Sequence, residues 1–481
     1  MAESKNKILS AGIGYTIGNY LLKGLSFFTI PIFARILTKT DYGIVNTFYA
    51  YESILYVLIG FAIHSSFKNA RYRYGLAKEQ NPESVDYQTY VTHAYMLICF
   101  SAVVWFIIVF VLRRVLAGAL ELAPSLLLLL VLNSAANAVV VAYNTNVGLF
   151  YEYKKFLQVS FFNAIGNILL SLFLIIKVYP HDRYMGRIIG TVFPILIAAI
   201  IIVVSQMRRN KPEKMRATMK WGLKYSLPIV PHGISQIILS SFDRLMITKM
   251  ISATATGLYS FSYNIFVIVQ VTAASIDNVW GPWFYSKRHE NDLRSIKKYS
   301  SIYTFFLAVF CVVIMLLSPE LILILGGVKY KETVYCVIPV VAGGFFTMLY
   351  NIPASVEYYY EKTSYIATAT TTAAVLNIVL NYIFIHRFGY IAAAYTTLAT
   401  YCLYFVFHFY MAYRIEKKSL FNGTVILAAS SIVFIGAMVA ICFVSQSWIR
   451  WAIAVVVMGL FVIAEERTVG IIVSFLKTRK A

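Results

Sequence analysis

Apolar windows of about 20 residues recur from one end of this chain to the other, fourteen in all, separated by short polar breaks. Each is long enough to cross a hydrocarbon layer of about 30 Å as a helix. The windows are roughly 10–34, 43–67, 90–112, 124–150, 157–177, 188–207, 222–248, 257–283, 299–318, 334–358, 364–386, 390–412, 424–445 and 448–464. Charged residues make up 13% of the chain, about half the share of a soluble domain, so water is not the solvent for this fold. Alternating ten-residue strands are absent, which argues against an outer-membrane barrel. The expected fold is an all-α membrane protein with about 14 transmembrane helices. Cys99, Cys311, Cys336, Cys402 and Cys442 fall inside apolar windows without metal-ligand spacing, and read as small hydrophobes. Met1 to Lys7 is short and polar, and the glycines after it interrupt any compact apolar core, so no cleaved signal peptide is expected.

Basic residues orient the spans. With the N-terminus inside, 28 of the 42 lysines and arginines fall in cytoplasmic segments and 12 on the opposite side, Arg113, Arg114, Arg183, Arg187 and Arg450 among them. Both termini are then cytoplasmic, the localisation is the cell inner membrane, and the net charge of +21 is a positive-inside bias facing anionic lipid heads. A nucleic-acid partner is not needed to explain it. The tail 465–481 mixes apolar and basic residues and suits an interfacial helix.

The two halves repeat at an offset of 214 residues. Gly43 matches Gly257, Thr40 matches Thr254, Arg35 faces Lys249 and Tyr49 matches Tyr263; far away, Asn163 and Asn167 match Asn377 and Asn381. An Asn pair at i, i+4 stands on one helix face, and its recurrence in register is not a consequence of composition. Six spans separate the copies, so both enter from the same side. That is a parallel repeat about an axis along the membrane normal, as in secondary transporters that rock two lobes around a central site. The expected domains are a six-helix lobe over 1–207, a second over 208–418, an extra helix pair over 419–464 and the tail 465–481.

The segments ARILTKTDYG, KYSLPIVPHGISQIILSSFDRLMITKMISATATGLYS and EKTSYIATATTTAAVLNIVLNYIFIHRFGYIAAAYTTLATY resemble the Wzx-type polysaccharide flippases of the multidrug/oligosaccharidyl-lipid/polysaccharide superfamily. The likeness covers residues 8–415. It implies two lobes around a V-shaped cavity lined by helices 1, 2, 7 and 8, and alternating access. It also implies a polyprenyl-diphosphate-linked oligosaccharide as cargo, and an extra helix pair whose groove holds the lipid tail. Membrane lipids are partners, a proton or sodium ion is the candidate coupling ion, and no cofactor is expected.

Ionisable groups inside spans are functional candidates by default. Lys23 lies near the middle of span 1, too deep for its stem of about 6 Å to reach either interface. It needs water, a carboxylate or an anionic ligand, and Asn19 sits one turn away on the same face. Glu52 in span 2 with Asp243 and Arg244 in span 7 lie toward the outer ends; His64 in span 2 and Asp277 in span 8 lie toward the inner ends. These depths predict a gate of two layers, Glu52 with Arg244 outside and His64 with Asp277 inside. The alternative is that Arg244 pairs within its own lobe and that His64 is a satisfied interfacial histidine. Tyr263, Gln270 and Asp277 share one face of span 8, a stripe that suits sugar hydroxyls and ring faces or ordinary packing. A cation-coupled multidrug-type antiporter is the rival function, weakened by cavity cations that would repel a cationic cargo. A membrane glycosyltransferase or polymerase is further off. The first outer loop, Arg35–Tyr42, holds a lone Asp41 where a metal-binding acidic pair would be wanted, and no nucleophile–base arrangement is visible, so no enzyme is expected.

Overall fold

The computed structural model describes residues 2–80, 85–209 and 215–464. It is helical throughout these residues, with no strand among them. Eleven helices are long and apolar enough to cross a membrane, and a twelfth span is a bent pair, Lys39–Gly60 with Ile63–Gly75, turned by 52°. Two of the fourteen expected windows fall short of that standard. One is the 21-residue helix Val230–Met250, which carries Asp243, Arg244 and Lys249; the other is the short Ser447–Ala464. The bend in span 2 sits at Phe61 and Ala62, both left-handed with φ of 49°. Left-handed backbone is costly for residues with a Cβ and stops a helix there. The tail, expected as an interfacial helix, lies outside the described residues.

Chain contacts divide the protein into two compact units, 1–257 and 258–481. The first contains α1 (Ala2–Ile36), α2 (Lys39–Gly60), α3 (Phe67–Gln80), α4 (Tyr87–Leu120), α5 (Pro124–Leu149), α6 (Tyr153–Phe173), α7 (Arg183–Arg209), α8 (Met215–Ser226), α9 (Val230–Met250) and the start of α10 (Ala253–His289). Helix α5 is its hub, packed against α2, α4 and α7, with Phe48, Tyr90, Tyr95, Leu127, Leu130 and Val131 in the buried core. Asp41, read from sequence as a lone loop acid, is a cap. The Thr38 hydroxyl accepts from the Asp41 amide at 3.0 Å and the Asp41 carboxylate accepts from the Thr38 amide at 3.0 Å, which closes a capping box on α2. Asp86 caps α4 in the simpler way.

Helix α9 packs on α2, and α8 packs on α4, so the boundary between the units falls after span 7, within α10. The sequence reading placed its lobe boundary after span 6, where the repeat begins again. Arg113 and Arg114, taken for outer-loop residues, lie inside the 34-residue α4, and the link that follows is 121–123.

The second unit holds the rest of α10 with α11 (Leu293–Leu316), α12 (Ser318–Leu325), α13 (Val334–Leu349), α14 (Asn351–Tyr359), α15 (Thr363–Phe388), α16 (Ile391–Glu416), α17 (Gly423–Cys442) and α18 (Ser447–Ala464). Helix α13 is its buried centre, against α11 and α16, while α17 and α18 pack on α11. All five cysteines are free thiols; Cys311 and Cys336 are buried as expected, whereas Cys442 is exposed on α17.

Candidate functional site

The repeat brings its own copies together. In the first unit Thr40 Oγ1 and Thr254 Oγ1, positions related by the 214-residue offset, share a hydrogen bond of 2.8 Å. A Cβ placed on Gly43 would lie 1.7 Å from the Ala253 carbonyl oxygen, and one placed on Gly257 would lie 2.0 Å from the Lys39 carbonyl oxygen. Since Lys39 and Ala253 are themselves offset by 214, these are one contact made twice, the isologous pattern of a local two-fold axis. Only glycine lets the two helix starts approach this closely. One turn further along α2, Thr47 Oγ1 meets Thr248 Oγ1 at 2.7 Å, and Thr248 Oγ1 meets Thr256 Oγ1 at 2.7 Å. Neutral, small side chains therefore form this seam.

That changes the expected outer layer. Glu52 is buried on α2 and accepts from Asn137 Nδ2 of α5 at 2.7 Å, so its partner lies within the same bundle and is not Arg244. The Arg244 guanidinium donates to the Ser240 carbonyl at 3.0 Å, and the Arg244 amide donates to the buried Asp243 carboxylate at 2.8 Å. Glu52 meets a local partner because α5 presents Asn137 to α2 at that depth.

Of the inner candidates, Asp277 also finds partners inside its own unit. Asp277 accepts from Tyr303 Oη at 2.7 Å and from Asn351 Nδ2 at 2.6 Å, both in the second unit. His64 lies in the short 3-10 turn after the bend in span 2, half-buried in the first unit. On α10, Gln270 is exposed, and the Tyr263 hydroxyl shares a 3.1 Å hydrogen bond with Tyr259.

Lys23 and Asn19 are both exposed on α1. Helix α1 is held mainly by α6, where Gly14 admits the Tyr153 ring and Gly18 admits Leu157. The apolar stretch of α1 runs from Gly14 to Ile36, which leaves Lys23 about 14 Å from one end and about 20 Å from the other. No carboxylate among the described residues pairs with it.

Several buried and half-buried charges escaped the sequence reading. Arg450, assigned to an outer loop, is 1% exposed in α18 and grips Glu320 with two bonds of 2.7 Å. Burial pushes the Glu320 carboxyl up, but the Arg450 guanidinium outweighs it and holds the group below the usual carboxylate range. His408 and Glu357, both fully buried, meet at 2.7 Å in the second unit. Arg187, also assigned to a loop, is one turn inside α7 and points among α1, α6 and α7. Each lies near a span end, where hydropathy alone does not separate helix from loop.

A chain of this many apolar helices, with a two-fold seam between repeated segments and a deep exposed lysine, has the make-up of a multi-pass membrane protein of the transporter type. It belongs to the polysaccharide biosynthesis protein family, which is matched over residues 9–288. It is similar to a protein of the Lsg locus of Haemophilus influenzae, 19% identical over 380 residues covering 77% of this chain and 89% of that one. Among solved structures it is similar to the lipid II flippase MurJ in an inward closed conformation, with a TM-score of 0.71 at 16% identity over 95% of this chain and all of that one. It is also similar to an inward-facing multidrug resistance MATE family transporter of the MOP superfamily. The TM-score there is 0.58 at 12% identity, over 82% of this chain and 99% of that one.

Proposed function

We propose that this protein moves a polyprenyl-diphosphate-linked oligosaccharide across the cytoplasmic membrane by alternating access, as a step in building a surface polysaccharide such as an O-antigen, capsule or exopolysaccharide. The observation that carries the reading is Lys23, a cation near mid-depth on α1, exposed and without a carboxylate partner among the described residues. Such a charge is costly in a membrane and persists where it has work to do. A diphosphate leaving water for a cavity of lower dielectric needs a counter-charge, and an ammonium supplies one without fixing a geometry. Exposed Asn19, on the same helix, offers a hydrogen bond to sugars; on α10 the candidate sugar contacts are exposed Gln270 and half-buried Tyr263. Family membership supports the cargo class, and the positive-inside bias supports cytoplasmic termini. The threonine–glycine seam is the outer gate in this reading, and a proton or sodium ion is the candidate coupling ion.

Binding by the purified full-length protein in nanodiscs, read by native mass spectrometry, tests the cargo. A polyprenyl-diphosphate-linked glycan should bind the wild type and bind Lys23→Ala at least tenfold more weakly. Tighter binding of a lipophilic cation than of the anionic lipid, with Lys23→Ala neutral, would instead support the multidrug-antiporter reading.

A further inference from the structure

We infer that the cavity beside Arg187, inside the first unit, is a binding site for a single carboxylate or similarly small oxyanion. The cavity has a volume of about 240 Å³ and is lined by Ser26 and Thr29 of α1, Asn46 and Tyr49 of α2, Asn167 of α6 and Arg187 of α7, among others. That is below the size of a drug-like ligand pocket, and suits one small group better than a whole lipid-linked glycan.

The charge on Arg187 is what makes the cavity specific. Its guanidinium is held by neutral acceptors only: it donates to Asn167 Oδ1, to Ser171 Oγ at 2.9 Å and to Thr191 Oγ1 at 3.4 Å. The Phe33 ring closes one face, with its centroid 4.0 Å from the guanidinium carbon. No carboxylate among the described residues pairs with it. Arg450 and Arg288 each grip a glutamate, whereas half-buried Arg71 and Arg183 donate to backbone carbonyls. A half-buried guanidinium fixed by three neutral oxygens next to open space lacks a counter-ion, and the space is where one fits.

The repeat gives a second reason. In the other half the matching pair Asn377 and Asn381 is closed into a neutral network, with Asn381 Nδ2 donating to Asn377 at 3.0 Å and Asn377 Nδ2 donating to Thr397 at 3.2 Å. Asn377 is met there by Thr397, 20 residues further along the chain, where Asn167 is met by Arg187, also 20 residues further along. The cation is thus an addition confined to one copy of an otherwise repeated motif, where helix packing alone needs none.

The anion has two possible sources, an acidic sugar of the cargo or a free small anion; only the first of these rests on the proposed function. The test uses the full-length protein in nanodiscs and saturation-transfer NMR with sodium glucuronate, glucose and sodium acetate. Glucuronate should bind, Arg187→Gln should weaken it at least tenfold, and Arg187→Lys should keep part of the affinity. Asn167→Asp places a carboxylate on the guanidinium from within, so it should abolish glucuronate binding while raising the melting temperature, which guards against loss of fold as the cause. Stronger binding of glucuronate than of acetate assigns the site to an acidic sugar, and equal binding assigns it to a free anion. Glucose binding as well as glucuronate, or unchanged glucuronate binding in Arg187→Gln or Asn167→Asp, overturns the site.

Discussion

Replacing Gly43 by alanine should pry apart the seam between the starts of α2 and α10. The added Cβ would sit 1.7 Å from the Ala253 carbonyl oxygen, and since real Cβ atoms stay at least 3.0 Å from other heavy atoms, the two backbones must separate by roughly 1 Å or more. Side-chain rotation cannot relieve this, because the opposing atoms belong to the main chain. Overpacking of this kind costs about 1–3 kcal/mol. If the seam is an outer gate that forms and parts during transport, the cost falls on the joined state alone. At about 1.4 kcal/mol per tenfold, the joined population then drops roughly 5- to 140-fold relative to the parted one. The assay is a Thr40→Cys/Thr254→Cys pair in a background lacking the five native cysteines, scored by protection from a PEG-maleimide after mild oxidation. The threonine oxygens lie 2.8 Å apart, so the pair should cross-link readily, and adding Gly43→Ala should remove most of the protection. Gly257→Ala should act about equally, because it makes the reciprocal contact, and the double variant should fall short of the sum. Full protection in Gly43→Ala, or an effect at one glycine and none at the other, would refute the two-fold gate.

The remaining predictions concern single charges. Lys23→Ala should abolish glycan export with the protein still inserted, and Lys23→Arg should keep part of it, read by surface polysaccharide and membrane protein level. A charge swap of Glu52 and Arg244 should not rescue either single variant, because Glu52 is bonded to Asn137; Asn137→Ala should instead destabilise the protein by about 1–3 kcal/mol. Arg450→Met should cost about 3–5 kcal/mol at neutral pH by stranding Glu320. The Glu320 carboxyl is depressed when folded, so its stabilisation is present above its unfolded value of about 4.3 and fades as pH falls through the folded value. The difference in melting between wild type and Glu320→Gln should therefore be full at neutral pH and shrink as pH falls below about 4.3.

The helices were legible in the sequence because a bilayer allows few ways to satisfy a backbone, so apolar length alone announces a span. The repeat was legible because Gly43 and Gly257, Thr40 and Thr254 hold contacts that other residue types cannot make, and that need shows as identity at a fixed offset. Side-chain partners were not. Nothing in the sequence ties Glu52 to Asn137 across 85 residues, and depth matching alone had pointed to Arg244. Arg187 and Arg450 were lost for another reason. A charge one turn inside a helix end has the same hydropathy profile as a charge in the loop, and only the packed structure tells them apart. The bend at Phe61 and Ala62 carries no proline to mark it.

The central claim is vectorial movement of an anionic lipid-linked glycan, and reconstitution tests it most directly. Purified protein in liposomes containing a polyprenyl-diphosphate-linked oligosaccharide should make inner-leaflet cargo accessible to an external glycosidase, and Lys23→Ala liposomes should match protein-free ones. Wild-type protein that leaves the inner-leaflet pool protected, with and without an imposed proton or sodium gradient, would contradict the account.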